Sequence, residues 1–116
     1  MHEISLVKSI FNSLDEMYTQ KEIENIQTIH LTLGELSNAQ PVLMKNAFEA
    51  VVSTERKDYS HCKLQVQLIP IKVYCSHCEV RSEIKNYKFV CKSCGLPNNN
   101  IVQGEELLVS GIDIKE

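Results

Sequence analysis

Little in this chain interrupts a fold. Its 116 residues include only four glycines and three prolines. No low-complexity run or Pro/Gly-rich linker is present, so nearly the whole length is expected to be ordered. No apolar stretch approaches the ~20 residues that cross a bilayer, which argues against a membrane partner. No basic segment followed by an apolar core opens the chain, so no secretory signal is visible. No nucleophile–base pair, catalytic triad or phosphate-cradling glycine loop appears, so no enzyme is expected. Positive charge is also short: 12 Lys and Arg against 15 Asp and Glu give a net charge of −3. The deficit is uneven. Lys72, Arg81, Lys85, Lys88 and Lys92 outnumber Glu79 and Glu83 between residues 72 and 104, a balance of +3 that leaves −6 for the rest. A nucleic-acid binder would carry a globally or strongly basic footprint, and this chain does not. The length fits one domain, or one domain with a small insert.

Against these absences stand the cysteines. Cys75-Ser-His-Cys78 and Cys91-Lys-Ser-Cys94 form two Cys-x-x-Cys pairs separated by twelve residues. Two thiolates on each tight turn point at one centre, and two turns supply a closed tetrahedral set, which suits Zn(II) bound to sulfur at about 2.3 Å. Gly95 suits the positive φ that such a turn requires. A redox motif needs only one pair at the head of a helix in a βαβ pattern, and residues 70–104 do not read that way. The expected site is a structural zinc centre with four cysteine ligands and no open coordination position. Five cysteines, four of them in metal spacing, point to a reducing compartment, so a cytoplasmic location is expected.

Hydrophobic periodicity supplies the frame. Val7, Ile10, Phe11, Leu14, Met17 and Tyr18 fall on one face of a 3.6-residue repeat. At residues 26–34 the period switches to two, with Ile29, Leu31 and Leu33 alternating against Thr28, His30 and Thr32, a half-buried strand closed by Gly34. Pro41 suits the first position of a second helix, whose buried stripe is Leu43, Met44, Ala47, Phe48 and Val51. Residues 54–60 are polar and read as a loop. Leu64, Val66 and Leu68 mark a second strand that Pro70 ends or bends. Residues 107–114 form a third, whose inward face is ambiguous because both parities are apolar; Gly111 is a candidate bulge. The expected fold is α+β: a small three-stranded sheet with two helices on one face, plus a zinc-ribbon insert. The expected division is 1–70 with 105–116 as one domain and 71–104 as the ribbon. Tyr74, Tyr87 and Phe89 are expected to pack that ribbon. Cys62 reads as a small packed or surface thiol, His30 as a surface or packed histidine, His61 as an adventitious ligand, and Glu35 as a solvated turn residue.

The opening Met1-His2-Glu3 is a second constellation. The terminal amine, the His2 amide nitrogen and the His2 imidazole can close adjacent chelate rings, with Glu3 completing a square. Tetragonal N,O ligation suits Ni(II) or Cu(II) better than zinc. A solvated tail is the alternative reading, since termini are commonly poorly ordered.

Met1-His2-Glu3, Gly34-Glu35-Leu36-Ser37, Ala47-Phe48-Glu49 and the paired knuckles occur in this order over essentially the whole chain. Together they resemble the nickel metallochaperone family of hydrogenase maturation (HypA/HybF). The resemblance implies Ni(II) cargo at Met1 (amine), His2 and Glu3, and structural Zn(II) at Cys75, Cys78, Cys91 and Cys94. It also implies work with a nickel-handling GTPase to insert nickel into the large subunit of [NiFe]-hydrogenase, and in some organisms a link to urease accessory proteins. Some members of that family use an Asp just before the second helix as a further nickel contact; here Gln40 stands there. Some urease-linked members carry histidines flanking the knuckles; here His77 lies inside the first, and Gly95 follows the second. The rival reading is a zinc-ribbon nucleic-acid or protein adaptor without nickel function, favoured by the basic ribbon and its aromatics and opposed by the acidic body.

Overall fold

The computed structural model describes residues 3–115. Helix α1 (Glu3–Met17) and the short α2 (Gln20–Glu24) lead into strand β1 (Ile26–Gly34). Helix α3 (Pro41–Thr54) crosses to β2 (Lys63–Ile69), and β3 (Ile71–Cys75), β4 (Val80–Ile84), β5 (Ile101–Gln103) and β6 (Leu107–Ile114) complete the chain. Two three-stranded sheets result, ordered β2-β1-β6 and β4-β3-β5. The fold is therefore α+β, as expected, and the ribbon has its own sheet.

In the first sheet β1 is central, parallel to β2 and antiparallel to β6. A parallel neighbour needs a crossover, and α3 supplies it. Ile29, Leu31 and Leu33 of β1 are buried with Val7, Phe11 and Leu14 of α1 and Met44, Ala47, Phe48 and Val51 of α3 in one core. Each helix stripe thus meets the apolar parity of the central strand. The ambiguous parity of β6 is settled by a register shift: Leu31 pairs with Val109 but His30 with Gly111, leaving Ser110 over. One extra residue inverts the alternation, so Leu107 and Val109 before the shift, and Ile112 and Ile114 after it, all face the core.

Four expectations need correction. Met17 is 69% exposed, because α1 ends there and Thr19 starts α2 with a reciprocal capping box to Glu22. Leu43 is exposed rather than in the α3 stripe. The 54–60 segment is not simply a polar loop. The 3-10 turn Lys57–Tyr59 drives Tyr59 fully into the core, stacked on Phe11 at 4.3 Å. Its hydroxyl donates to Asp15 (2.8 Å), while Arg56 lies over both rings and binds Asp15 and Asp58. Lastly, Tyr87 does not pack the ribbon; it is exposed on a turn.

The sheets meet at a tight joint. Gly34 N–H donates to Glu106 O and Leu36 N–H to Gly104 O, each at 2.7 Å. Leu36, from the turn after β1, packs against the ribbon's small core of Ile71, Val73 and Ile84, as do Phe89 and Ile101. The ribbon extends the molecule to 53 Å in its longest dimension, with a radius of gyration of 17.6 Å; a compact chain of this length would have about 13 Å.

Candidate metal centre

Each cysteine pair sits on a turn closed by a backbone hydrogen bond. Glu79 N–H donates to Cys75 O (2.7 Å), and Gly95 N–H to Cys91 O (2.8 Å). Glu79 and Gly95 occupy equivalent places and share a left-handed backbone, φ 55 and 72. Glycine adopts that conformation freely and glutamate does not, so the first knuckle is the more strained of the two. The first turn joins β3 to β4. The second is held against that hairpin by Lys92 N–H donating to the buried Ser82 hydroxyl at 2.9 Å. Asn98 and Asn100 strap the return strand by donating their side-chain amides to Tyr74 O.

These bonds bring Cys75, Cys78, Cys91 and Cys94 together, with all four sulfurs within 4.8 Å of one another. A tetrahedral ion bound to sulfur at about 2.3 Å spaces its ligands about 3.8 Å apart, so the donor set fits such an ion. Cys91 is buried, Cys75 and Cys78 half-buried, and Cys94 exposed. Backbone amides of Cys94 and Ser93 pull the Cys91 thiol down to about 6, and Ser93 N–H lies 3.4 Å from its sulfur. Binding an ion there must release protons. The arrangement can hold a metal and fix the ribbon, and four protein ligands fill a tetrahedral shell.

The remaining candidates are dispersed. His77 is exposed and outside the four-sulfur group. His30 bonds Asp113 at 2.8 Å. His61 contacts Ile23 O (3.1 Å), and the buried Cys62 thiol donates to Ile26 O (3.3 Å), with burial raising its pKa to about 11. Gln40 precedes α3 without a side-chain capping bond. Glu35 is exposed at the start of a 3-10 turn. Glu3 opens α1, where the helix dipole favours its negative charge, and it borders a cleft with Leu43 and Asn46 of α3. Met1 and His2 lie outside the described residues. Sequence reasoning missed Ser82, Asn98 and Asn100. Ser82 gave no local signal beyond its place on an inward parity, while the Asn98–Asn100 run marks a turn rather than a strap.

Comparison with known proteins bears on the whole chain. Residues 1–114 match the family model described as hydrogenase/urease nickel incorporation, metallochaperone. A hydrogenase maturation factor HypA of Desulfitobacterium hafniense is 28% identical over 116 residues, covering all of both chains. Its counterpart in Campylobacter jejuni is 31% identical, covering 92% of this chain and 93% of that one. The solution structure of the Ni metallochaperone HypA from Helicobacter pylori shares the fold with a TM-score of 0.64 at 23% identity, over 98% of this chain and 97% of that one. A second HypA solution structure gives 0.68 at 22%, over 99% and 97%. The family match runs through both sheets and all four gathered cysteines, and the chain belongs to the HypA family of nickel-incorporation metallochaperones.

Proposed function

We propose that this protein carries Ni(II) as cargo at its N-terminus and delivers it to the large subunit of [NiFe]-hydrogenase, while Zn(II) held by Cys75, Cys78, Cys91 and Cys94 shapes the ribbon. The observation that carries this reading is the family match across residues 1–114 together with the four-sulfur cluster. As a maturation factor the protein is not an enzyme. The nickel ligands in this reading are the Met1 amine, His2 and Glu3. The zinc supplies a fixed tetrahedral junction between the two knuckles. A nickel-handling GTPase is the working partner, with urease accessory proteins as further partners where urease is present. Residues 1–70 and 105–116 then act as the nickel-binding domain and 71–104 as the ribbon domain. Among the described residues no helix is long and apolar enough to cross a membrane, and we place the work in the cytoplasm with its clients.

Titration of untagged, zinc-loaded protein with Ni(II), beside a version carrying one extra residue before Met1, tests the terminal site. One-to-one binding that the extension destroys is the expected result. Nickel binding that survives the extension moves the site to other side chains. His2→Ala should abolish hydrogenase maturation without changing zinc content, and full maturation by that variant would dismiss the terminal chelate.

A further inference from the structure

Tyr87 has no reason in the ribbon's own packing to be a tyrosine. Lys88 N–H donates to Lys85 O (3.1 Å), closing a four-residue turn whose central residues, Asn86 and Tyr87, both have left-handed backbones, φ 56 and 57. That is the type I′ geometry, which favours Asn-Gly. Asn86 fits the first place, whereas Tyr87 occupies the glycine place. A bulky residue held there is strained, yet its ring is 64% exposed and so gains little from burial in return.

The ring borders a cleft of about 310 Å³ between the ribbon turn and the segment joining β1 to α3. Ala39, Pro41, Leu68 and Tyr87 give it apolar surface, and Glu35 is its one carboxylate. Leu68 is 49% exposed, and Val42, beside Pro41, 68%. Three cations flank this apolar strip: Lys85 and Lys88 at the two ends of the Tyr87 turn, and Lys45 one helical turn on from Pro41. All three are exposed, and none forms an ion pair with a described residue. Strand β2, which ends beside Leu68, has one edge of its backbone unpaired.

We propose that this cleft docks an extended acidic segment of a partner protein that carries one large apolar anchor. The anchor enters between Tyr87 and Leu68. The acidic flanks meet Lys45, Lys85 and Lys88, and the backbone runs along the free edge of β2. A single exposed ring makes a poor stacking track for successive bases, so a peptide with one apolar anchor fits better than RNA. The docking site does not involve the terminal chelate and is tested without nickel, so failure of either idea leaves the other standing.

The test is an NMR titration of zinc-loaded protein with a synthetic peptide of alternating Asp and Glu around one central Phe. Saturable shifts at residues 35–41, Leu68 and 85–88, weakening with salt, are expected. Tyr87→Gly suits the turn and should leave the melting temperature unchanged or raised, while peptide affinity falls roughly tenfold or more. The Lys85→Glu/Lys88→Glu double variant should lose affinity to a similar degree. The proposal is overturned by no shifts at the highest soluble peptide concentration, or by equal binding to Tyr87→Gly. Stronger shifts of the same residues with oligouridylate or phosphatidylserine vesicles would also overturn it.

Discussion

Replacing Gly34 with alanine should loosen the joint between the two sheets, and the reason is steric rather than conformational. Gly34 has an ordinary extended backbone, φ −84. A Cβ there would collide with the carbonyl of Gly104 and lie 2.7 Å from Glu105 N. The opposing segment cannot retreat, because Gly104 sits over Ile71, with room for no Cβ of its own (2.9 Å to Ile71 Cα). Overpacking of this kind costs about 1–3 kcal/mol. Moving the segments apart also weakens the two 2.7 Å bonds, Gly34 N–H to Glu106 O and Leu36 N–H to Gly104 O, at about 0.5–1.5 kcal/mol each. The total is about 2–6 kcal/mol, a large share of a typical 5–15 kcal/mol stability. At roughly 4 °C per kcal/mol for a chain of this size, the melting temperature should fall by roughly 8–24 °C. Gly95→Ala is the control. Its φ is 72 but a Cβ there meets nothing within 4 Å, so only backbone strain of about 1 kcal/mol is added. Both variants should be melted with zinc in excess. Equal losses, or a Gly34→Ala protein within a few degrees of wild type, would refute the steric argument.

Glu79→Gly relieves the left-handed strain of the first knuckle and should stabilise the zinc-loaded protein by up to ~1 kcal/mol; a lower melting temperature would show that the Glu79 side chain matters more than its backbone. Cys94→Ser should release the ribbon while leaving the main core folded, read as lost amide dispersion for residues 71–103 with retained helical circular dichroism; global unfolding would contradict separable cores. The hydrogen bond from Arg56 holds the Asp58 carboxyl below its ordinary range, against the opposing effect of burial. A depressed folded pKa gives stability that is present above the unfolded value of about 3.9 and lost as pH falls through the folded one. Arg56→Met should therefore flatten the acid limb of the melting-temperature profile, and an unchanged limb would remove Asp58 from the account. Nickel affinity should fall on acidification because the terminal amine and imidazole must shed protons; equal affinity at pH 6 and pH 8 would count against that ligand set.

Much of the frame could be read from spacing alone. Alternation placed β1 on the correct parity because one side of that strand is sealed by helices. The stripes of α1 and α3 followed from the same rule except at Met17 and Leu43, which are exposed, and the four cysteines from metal geometry. Sequence reasoning failed where a single residue answers to a tertiary partner. Tyr59 sits in a polar run, and only the Arg56–Asp15 clasp above it explains why the chain turns it inward. The inward face of β6 could not be decided, because both parities are apolar and one unpaired residue, Ser110, switches between them. Helix α2 was missed although Thr19-x-x-Glu22 is a capping-box signature; five residues are too few to show a period.

The two proposed metal sites differ in what the polypeptide must do for them. The four sulfurs are delivered by paired turns whose closing bonds, Glu79 to Cys75 and Gly95 to Cys91, repeat the same geometry twice. Their arrangement is set by backbone, with Ser82 locking one turn to the other's hairpin, so an ion there would be held by four ligands on two tied turns. A terminal chelate would draw its nitrogens from the first residues and borrow only Glu3 from a helix. Such a set can be taken apart one ligand at a time by an incoming partner, which is what cargo requires and what a structural ion must resist. Chelator challenge separates the two: nickel should leave within the mixing time at a chelator concentration that leaves the zinc in place for hours, and simultaneous loss of both ions would place them in one coupled site.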